Sequence, residues 1–384
     1  MDQRTYKLRD FAQDVSVAVK DAQSHHLDKF VGLEHYDSGE PVITRYTDTS
    51  LITSSVKEFH KNDILIARRN VYLKRAGIAF FDGLTSGDSI ILRIFDDSDK
   101  RTGIPKEDAV RIIPFVLNSN DFWAYANKHA DGMNSKRISK EMLYDYEFSL
   151  PSLSEIRQLY SKLWAAYNLK DSYKKLLSAT DEMVKSQFIE MFGDTPERVE
   201  LSSLCDTFID GDWIEAKDQA EDGIRLIQTG NVGVGVFKDK GDKARYISED
   251  TFERLNCTEV KNGDILVSRL PDPVGRACII PGGLGKTITA VDCTIIRLAD
   301  KIVPKFFIAF TNTPDYAMQI KKVLSGTTRL RVSRANLGKI HVPLPAIQKQ
   351  IEFVSIAEQA DKSKFELRKS IEAIDAVIKS LING

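Results

Sequence analysis

Apolar positions along this chain change their period twice. From Ser152 to Met191 they fall at 156, 159, 163, 166, 169, 173, 176–177, 183–184, 188 and 191, with Thr180 in the one gap, an alternation of three and four over nearly six heptads. This spacing predicts a continuous helix with a coiled-coil seam. Ile347, Ile351, Val354, Leu367, Ile371, Ile374, Ile378 and Leu381 repeat the pattern near the C-terminal end. Helices of about 37–40 residues would run about 55–60 Å, longer than the core of an ordinary domain needs. Pro151 and Pro345 stand just ahead of them, where a proline sacrifices no hydrogen bond, and Gly193 and Gly384 follow. Elsewhere the apolar runs are short, rich in β-branched residues and bounded by Gly, Asn, Asp and Pro, which predicts small strands and tight turns.

The strand-rich stretches occur twice. GMNSKRISKEMLYDYEFSLP (132–151) lies without a gap over GTTRLRVSRANLGKIHVPLP (326–345), sharing Gly, Arg, Ser, Leu and the final Leu-Pro. Upstream, Tyr46–Asn62 and Tyr246–Asn262 have equal length, each ends in a Lys-Asn turn, and DILIARR or DILVSRL follows. RAGIAFF (75–81) matches RACIIPG (276–282), and IILR (90–93) matches TIIR (294–297). Order is kept while the offset drifts, as loop insertions in a duplicated fold would produce. The expected organisation is therefore a mixed, strand-rich globular unit at 1–150, a helix at 151–193, a second unit at 194–345 and a second helix at 346–384. The fold class is α/β of the α+β kind, with the two helices paired antiparallel as a spacer. The plainer alternative is that each helix packs only on its own globular half.

Composition narrows the function by exclusion. At 384 residues, 42 % hydrophobic and 28 % charged, the chain has enough apolar surface for more than one core. Its 54 basic and 55 acidic residues leave a net charge of −1, so any polyanion must be held by local patches. MDQRTYKLRD offers no apolar signal core and no run approaches bilayer-spanning length, so a cytosolic protein is expected. Cys205, Cys257, Cys278 and Cys293 form no CxxC or CxxH and are expected to be reduced and mostly buried. The histidines, at 25, 26, 35, 60, 129 and 341, lack ligand spacing, and no protein-bound metal is expected.

Catalytic motifs fail in their details. PGGLGKT (281–287) has Ile280 where a phosphate loop requires Gly, and GNVGVG (230–235) has the wrong spacing for a dinucleotide fingerprint and reads as a turn. No GxSxG motif occurs, nor the Asp/Asn-Pro-Pro-aromatic tetrapeptide of amino-methyltransferases. A magnesium nuclease could be assembled from Asp210, Glu215 and Lys217, within a stretch (194–222) that holds ten acids against two bases.

What remains is recurring basic charge. Arg68, Arg69, Lys74 and Arg75, with Lys61, face one acid over 61–75; Lys136, Arg137 and Lys140 have no acid among them. The second half answers with Arg269, Arg276, Arg329, Arg331 and Arg334. A single charge run is ordinarily a solvated face, but these occupy equivalent places in the repeat. Arginines presented from strand-connecting loops can neutralise phosphates and contact guanine edges in a major groove. Two similar but non-identical units on a helical spacer would read a split, asymmetric duplex site. A protein-binding scaffold is the competing class, and the balanced net charge suits it.

The order of unit, Leu-Pro, long helix, unit, Leu-Pro, long helix resembles the specificity subunit of type I restriction–modification enzymes. KFVGLEHYDSG (29–39), FHKNDILIARR (59–69), GDWIEAKDQAEDGIRLIQTGNVGVG (211–235), VKNGDILVSR (260–269) and both Gly-to-Leu-Pro segments carry the likeness over essentially the whole chain. The first half departs from the pattern by opening with YKLRDFAQDVSVAV (6–19), without the usual tryptophan. The resemblance implies two target recognition domains joined by an antiparallel coiled coil, with no catalysis in this chain. It implies two modification (methyltransferase) subunits that bind S-adenosylmethionine and methylate adenine, and restriction subunits that use ATP and magnesium to translocate and cut DNA. The family supplies no general base-contact motif, so the candidate DNA contacts stay the twelve arginines and lysines above, from Arg68 to Arg334.

Overall fold

The computed structural model describes residues 4–19, 26–52, 54–133, 135–327 and 329–383. His25 and Gly384 lie outside them. The chain divides into two compact units, Met1–Lys174 with Lys369–Gly384, and Lys175–Arg368. The division passes through both long helices, Leu153–Phe192 and Ile347–Asn383, so each unit owns a stretch of each.

In the first unit, Ala12–Asp14, Ser89–Ile94, Ile64–Ala67, Ala76–Ala79 and Val42–Ile43 lie side by side in that order, antiparallel except for the last pair. A second sheet runs Val17–Val19, Val56–Phe59, Gly83–Ser86, Lys29–Val31 and Thr47–Asp48, with the Gly83–Ser86 and Lys29–Val31 strands parallel. Arg4–Lys7 pairs with Glu147–Leu150 just before the first long helix. The strand Ile64–Ala67 is buried on both faces, which is why its sequence is an unbroken apolar run. Ile64 and Ile66 enter the large core with Phe115, Trp123 and Ile156, while Leu65 and Ala67 enter a smaller one with Val31 and Phe59.

The second unit has the same frame. Cys205–Asp210, Cys293–Leu298, Ile265–Ser268 and Ala277–Ile279 form one antiparallel sheet. Thr287–Thr289 runs parallel to Ile224–Ile227, which pairs with Arg245–Ile247, and Arg198–Glu200 pairs with His341–Pro343. Its central strand also serves two cores, Ile265 and Val267 on one side and Leu266 on the other. The first unit adds Val17–Val19, Val56–Phe59 and Val42–Ile43 as extra strands. Register refines the sequence alignment by one residue. Asp63 N donates to His60 O and Asp264 N to Lys261 O, so Asn62 (φ 72°) corresponds to Gly263 (φ 86°) in the left-handed position of the turn.

Both helices form where the apolar period predicts them. Ser152 starts the first, donating its backbone N–H (3.0 Å) and hydroxyl (2.6 Å) to the Glu155 carboxylate. In the second unit Asp181 meets Lys364 at 2.8 Å and Phe188 packs edge-on to Phe353, so the helix stretches run antiparallel there. In the first unit Lys170 contacts Asp375, and Ile378 enters the core beside Ile156, Tyr160 and Leu163. The buried line differs from the predicted seam. Ile156, Tyr160, Leu163, Tyr167 and Lys170 are buried, while Leu169, Leu176 and Met183 are about half exposed, because the globular part of each unit competes with the partner helix for the apolar face. Three cysteines are buried, Cys205 is half-buried, and all four are unpaired; burial pushes the Cys278 thiol up to about 12. Among the described residues no helix is long and apolar enough to cross a membrane.

Candidate nucleic-acid interface

The basic clusters are built on a buried aspartate paired with a half-buried arginine in each unit. Asp63 takes Arg93 Nε and Nη2 at 2.7 Å each, and Asp264 takes Arg297 Nε at 2.8 Å and Nη2 at 2.7 Å. Each carboxylate also accepts a backbone N–H at the turn, from His60 or Lys261. Bidentate pairing fixes the start of the central strand, and the strand delivers Arg68 or Arg269 at its far end.

From there the backbone contacts are the same in both units. Arg68 N donates to Asp88 O and Arg68 O accepts from Ile138 N, each at 3.0 Å; Arg269 N donates to Asp292 O at 2.9 Å and Arg269 O accepts from Val332 N at 3.2 Å. These bonds grip a loop closed on itself by Asp131 and Arg137 in one unit and by Ser325 and Arg331 in the other. Gly132 (φ 116°) and Gly326 (φ 99°) make the closure possible. A Cβ would meet Ser135 O at 2.9 Å or Arg329 O at 2.5 Å. Ser139 and Ser333 then cap the short helices Lys140–Tyr144 and Arg334–Gly338 through Met142 N and Asn336 N.

The loops carry most of the basic residues singled out by sequence to solvent. Arg69, Lys136, Arg137 and Lys140 are exposed in the first unit, and Arg329, Arg331 and Arg334 in the second. Asp88 stands 3.7 Å from both Arg69 and Arg137, and Arg69 Nε donates to Ser135 Oγ at 2.8 Å. Asp210 plays the same part opposite, 3.4 Å from Arg269 Nε and 4.0 Å from Arg334 Nε. These are loose pairs that leave each guanidinium with free donors. Lys57 joins the first cluster, donating to Ser89 O at 2.7 Å. Burial, with Arg68 and Lys140 adding to it against Asp14 and Asp88, holds its ammonium below the ordinary lysine range. Nothing in the local sequence VKEF distinguishes Lys57 from a solvated strand lysine.

Other candidates are set inward. Arg68 and Arg269 are half-buried. Lys74 is half-buried in a left-handed position (φ 50°) after the turn Val71–Leu73. Arg75 donates Nη1 to Leu33 O and Nη2 to Arg69 O, both at 2.9 Å. Arg276 donates to the carbonyls of Val232, Leu270, Pro273 and Thr229. Leu33 and Thr229 occupy the same place in the repeat, so Arg75 and Arg276 are matching struts that hold those turns, and burial is the first cause lowering both guanidinium pKa values.

The residues that suggested a nuclease are tied up in pairs. Glu215 meets Lys217 at 2.8 Å, and Asp210 faces the arginines. Among the described residues no group of three His, Cys, Asp or Glu side chains is placed to hold a metal ion. GNVGVG forms a short helical turn at Thr229–Asn231 and a bridge between Val232 and Phe237. In PGGLGKT, Lys286 reaches Glu249 at 2.7 Å and covers the Phe252 ring.

Residues 194–375 match the profile of the type I restriction modification DNA specificity domain. The EcoBI specificity subunit of a type I restriction enzyme from Escherichia coli is 22 % identical over 292 residues, 67 % of this chain and 61 % of that relative's own length. A chain from a structure described for complex assembly and conformational transition of the type I R-M system aligns over 99 % of this chain and 96 % of its own, with 14 % identity and a TM-score of 0.56. The S subunit of a type I restriction–modification system from M. genitalium aligns over 100 % and 95 %, with 12 % identity and a TM-score of 0.50. At these identities the solved structures are alike in fold.

Proposed function

Since residues 194–375 match the type I restriction modification DNA specificity domain, and the first unit contains their frame with three strands added, we propose that this chain is the DNA-specificity subunit of a type I restriction–modification enzyme. The observation that carries the reading is the matched grip of Arg68 and Arg269 on two glycine-closed loops, each lifting an exposed arginine, Arg137 or Arg331, from an equivalent place. Each unit reads one part of a split target. Phosphates are neutralised by Arg69, Lys136, Arg137 and Lys140 in the first unit and by Arg329, Arg331 and Arg334 in the second, while the differing loop sequences make the two parts of the site unlike. The long helices set the spacing between them.

In this reading the chain is not itself an enzyme. Two modification subunits dock on it and methylate adenine with S-adenosylmethionine, and restriction subunits add ATP- and magnesium-dependent translocation and cleavage. Half-exposed apolar positions on the long helices, among them Leu176 and Met183 one heptad apart, suit docking of such subunits. The test is purification of a tagged chain from its native host, with mass spectrometry of what accompanies it and methylation sequencing of the genome. A methyltransferase subunit in about twofold excess and a split N6-methyladenine motif that vanishes on deletion of the gene are expected. Recovery of the chain alone with an unchanged methylome overturns the reading.

A further inference from the structure

Trp213 is 71 % exposed, against 2 % for Trp123. A large ring left in water on a rigid surface is a candidate contact, and here its backbone mounting is fixed. Gly211 N donates to Cys293 O at 2.9 Å, Asp212 N to Thr289 O at 2.8 Å, and Val291 N to Asp212 O at 2.9 Å. Only glycine allows that approach, since a Cβ on Gly211 would lie 2.4 Å from Thr289 O and 2.5 Å from Ala290 O. The next residue, Ile214, packs on the small core of Ile224, Leu226 and Ile288, and Trp213 is left to solvent. Glu215, two residues on, is paired with Lys217 at 2.8 Å.

This mounting adjoins the second unit's arginine cluster. Arg269 Nη2 donates to Val291 O at 2.6 Å, on the segment that clasps Asp212, and Arg269 Nε faces Asp210. Three of the acids near the ring have basic partners. Asp210 lies against Arg269, Glu215 against Lys217, and Asp218 against Arg254 at 2.7 Å, while Asp212, beside the ring, accepts the Thr258 N–H at 3.0 Å and burial raises its carboxyl pKa, so the ring stands in a largely paired surface beside exposed arginines. That combination suits a duplex groove, where base methyls and deoxyribose offer apolar surface between phosphates.

Resting on the recognition reading above, we propose that Trp213 is an aromatic DNA contact of the second unit, mounted on the Gly211–Asp212 backbone clasp, with its ring against base or deoxyribose edges while Arg329, Arg331 and Arg334 hold phosphates.

The test uses the full-length chain and a 40-bp duplex selected by the wild-type protein from a random-sequence pool. Trp213→Ala should weaken binding about tenfold, the scale of one good aromatic contact, and Trp213→Phe should retain most of the affinity. Because the ring neutralises no phosphate, the slope of log affinity against log salt should stay that of wild type, whereas Arg331→Ala should make it shallower. Duplex should shield a tryptophan from acrylamide quenching in the wild type but not in Trp213→Phe. If wild type selects no duplex, the recognition reading itself fails. If it selects one and Trp213→Ala binds it equally, with Trp213 still open to acrylamide, the contact is overturned while recognition stands. Loss of a co-purifying subunit in Trp213→Ala with DNA affinity intact overturns it too, in favour of a protein-facing ring.

Discussion

Asp63 and Asp264, 1 % and 2 % exposed, do more for the candidate interface than any arginine that touches solvent. Each satisfies one guanidinium and one turn N–H, so its loss frees both. Asp264→Ala should cost about 2–3 kcal/mol in urea unfolding, the low end for breaking such a pair because Arg297 keeps a third of its side chain in water. Gly326→Ala acts differently. It forces a side chain into φ 99° against a carbonyl, so the Ser325–Arg331 loop should open at a cost of about 1–3 kcal/mol, seen as lost amide protection at Arg331 with the core strands unaffected. Arg137→Ala and Arg331→Ala should weaken different halves of a bipartite site, each flattening the salt dependence by about one unit of slope. A change in the same half by both would defeat the two-reader arrangement. At this scale the sequence locates charge but not its employment. Arg75 and Arg276 are as basic and as well repeated as Arg137 and Arg331, yet their donors go to main-chain carbonyls, and only the path of the turns at Leu33 and Thr229 reveals it.

Among elements, the first long helix is tied to the sheet side of its unit by a half-hidden ion cluster. Lys170 reaches Glu40 at 2.6 Å and also Asp375, and Lys174 reaches Glu40 at 2.8 Å. Burial alone would raise the Glu40 carboxyl, but the hydrogen bonds and charges of Lys170 and Lys174 outweigh it and hold the group below the ordinary carboxylate range. A carboxyl depressed in the folded state contributes stability that is complete above its unfolded value, about 4.3, and is lost as pH falls through the folded value. Glu40→Gln should therefore lower the melting temperature near neutrality and flatten the decline below about pH 4.3, where wild type loses this contribution. Both long helices and the strand-rich frame were legible from period alone, because 3.5-residue and 2-residue patterns are local. The buried line was less so. Leu169 falls on the predicted seam yet is half exposed, whereas Tyr160 and Lys170, off that seam, are buried. Lys170 is a lysine no hydropathy pattern would place inside; its partners Glu40 and Asp375 are far away in sequence. The extra strands Val17–Val19 and Val56–Phe59 of the first unit were hidden for a related reason, since the alignment of the halves shows what they share and not what one adds.

For the whole molecule, duplication was the strongest signal in the sequence, and the matched registers of Ile64–Ala67 and Ile265–Ser268 in their sheets express it. The proposed spacer role makes its own prediction. Deleting one heptad within 163–180 should change the length between the two parts of the methylated motif or abolish recognition, and an unaltered motif in methylation sequencing would count against it. Contact units follow the chain less simply than its repeat does. Residues 175–368 form one unit from a continuous stretch, whereas the first unit recruits 369–383 to finish its core with Ile378. As the chain leaves the ribosome, then, every part of the second unit has emerged before the first unit has its last, with Ile156 and Leu163 lacking their final neighbour until the stretch around Ile378 follows. The last helix thus gives this protein an order in time as well as in space, and a released chain truncated after Arg368 would hold every part of the second unit and a first unit whose core lacks Ile378.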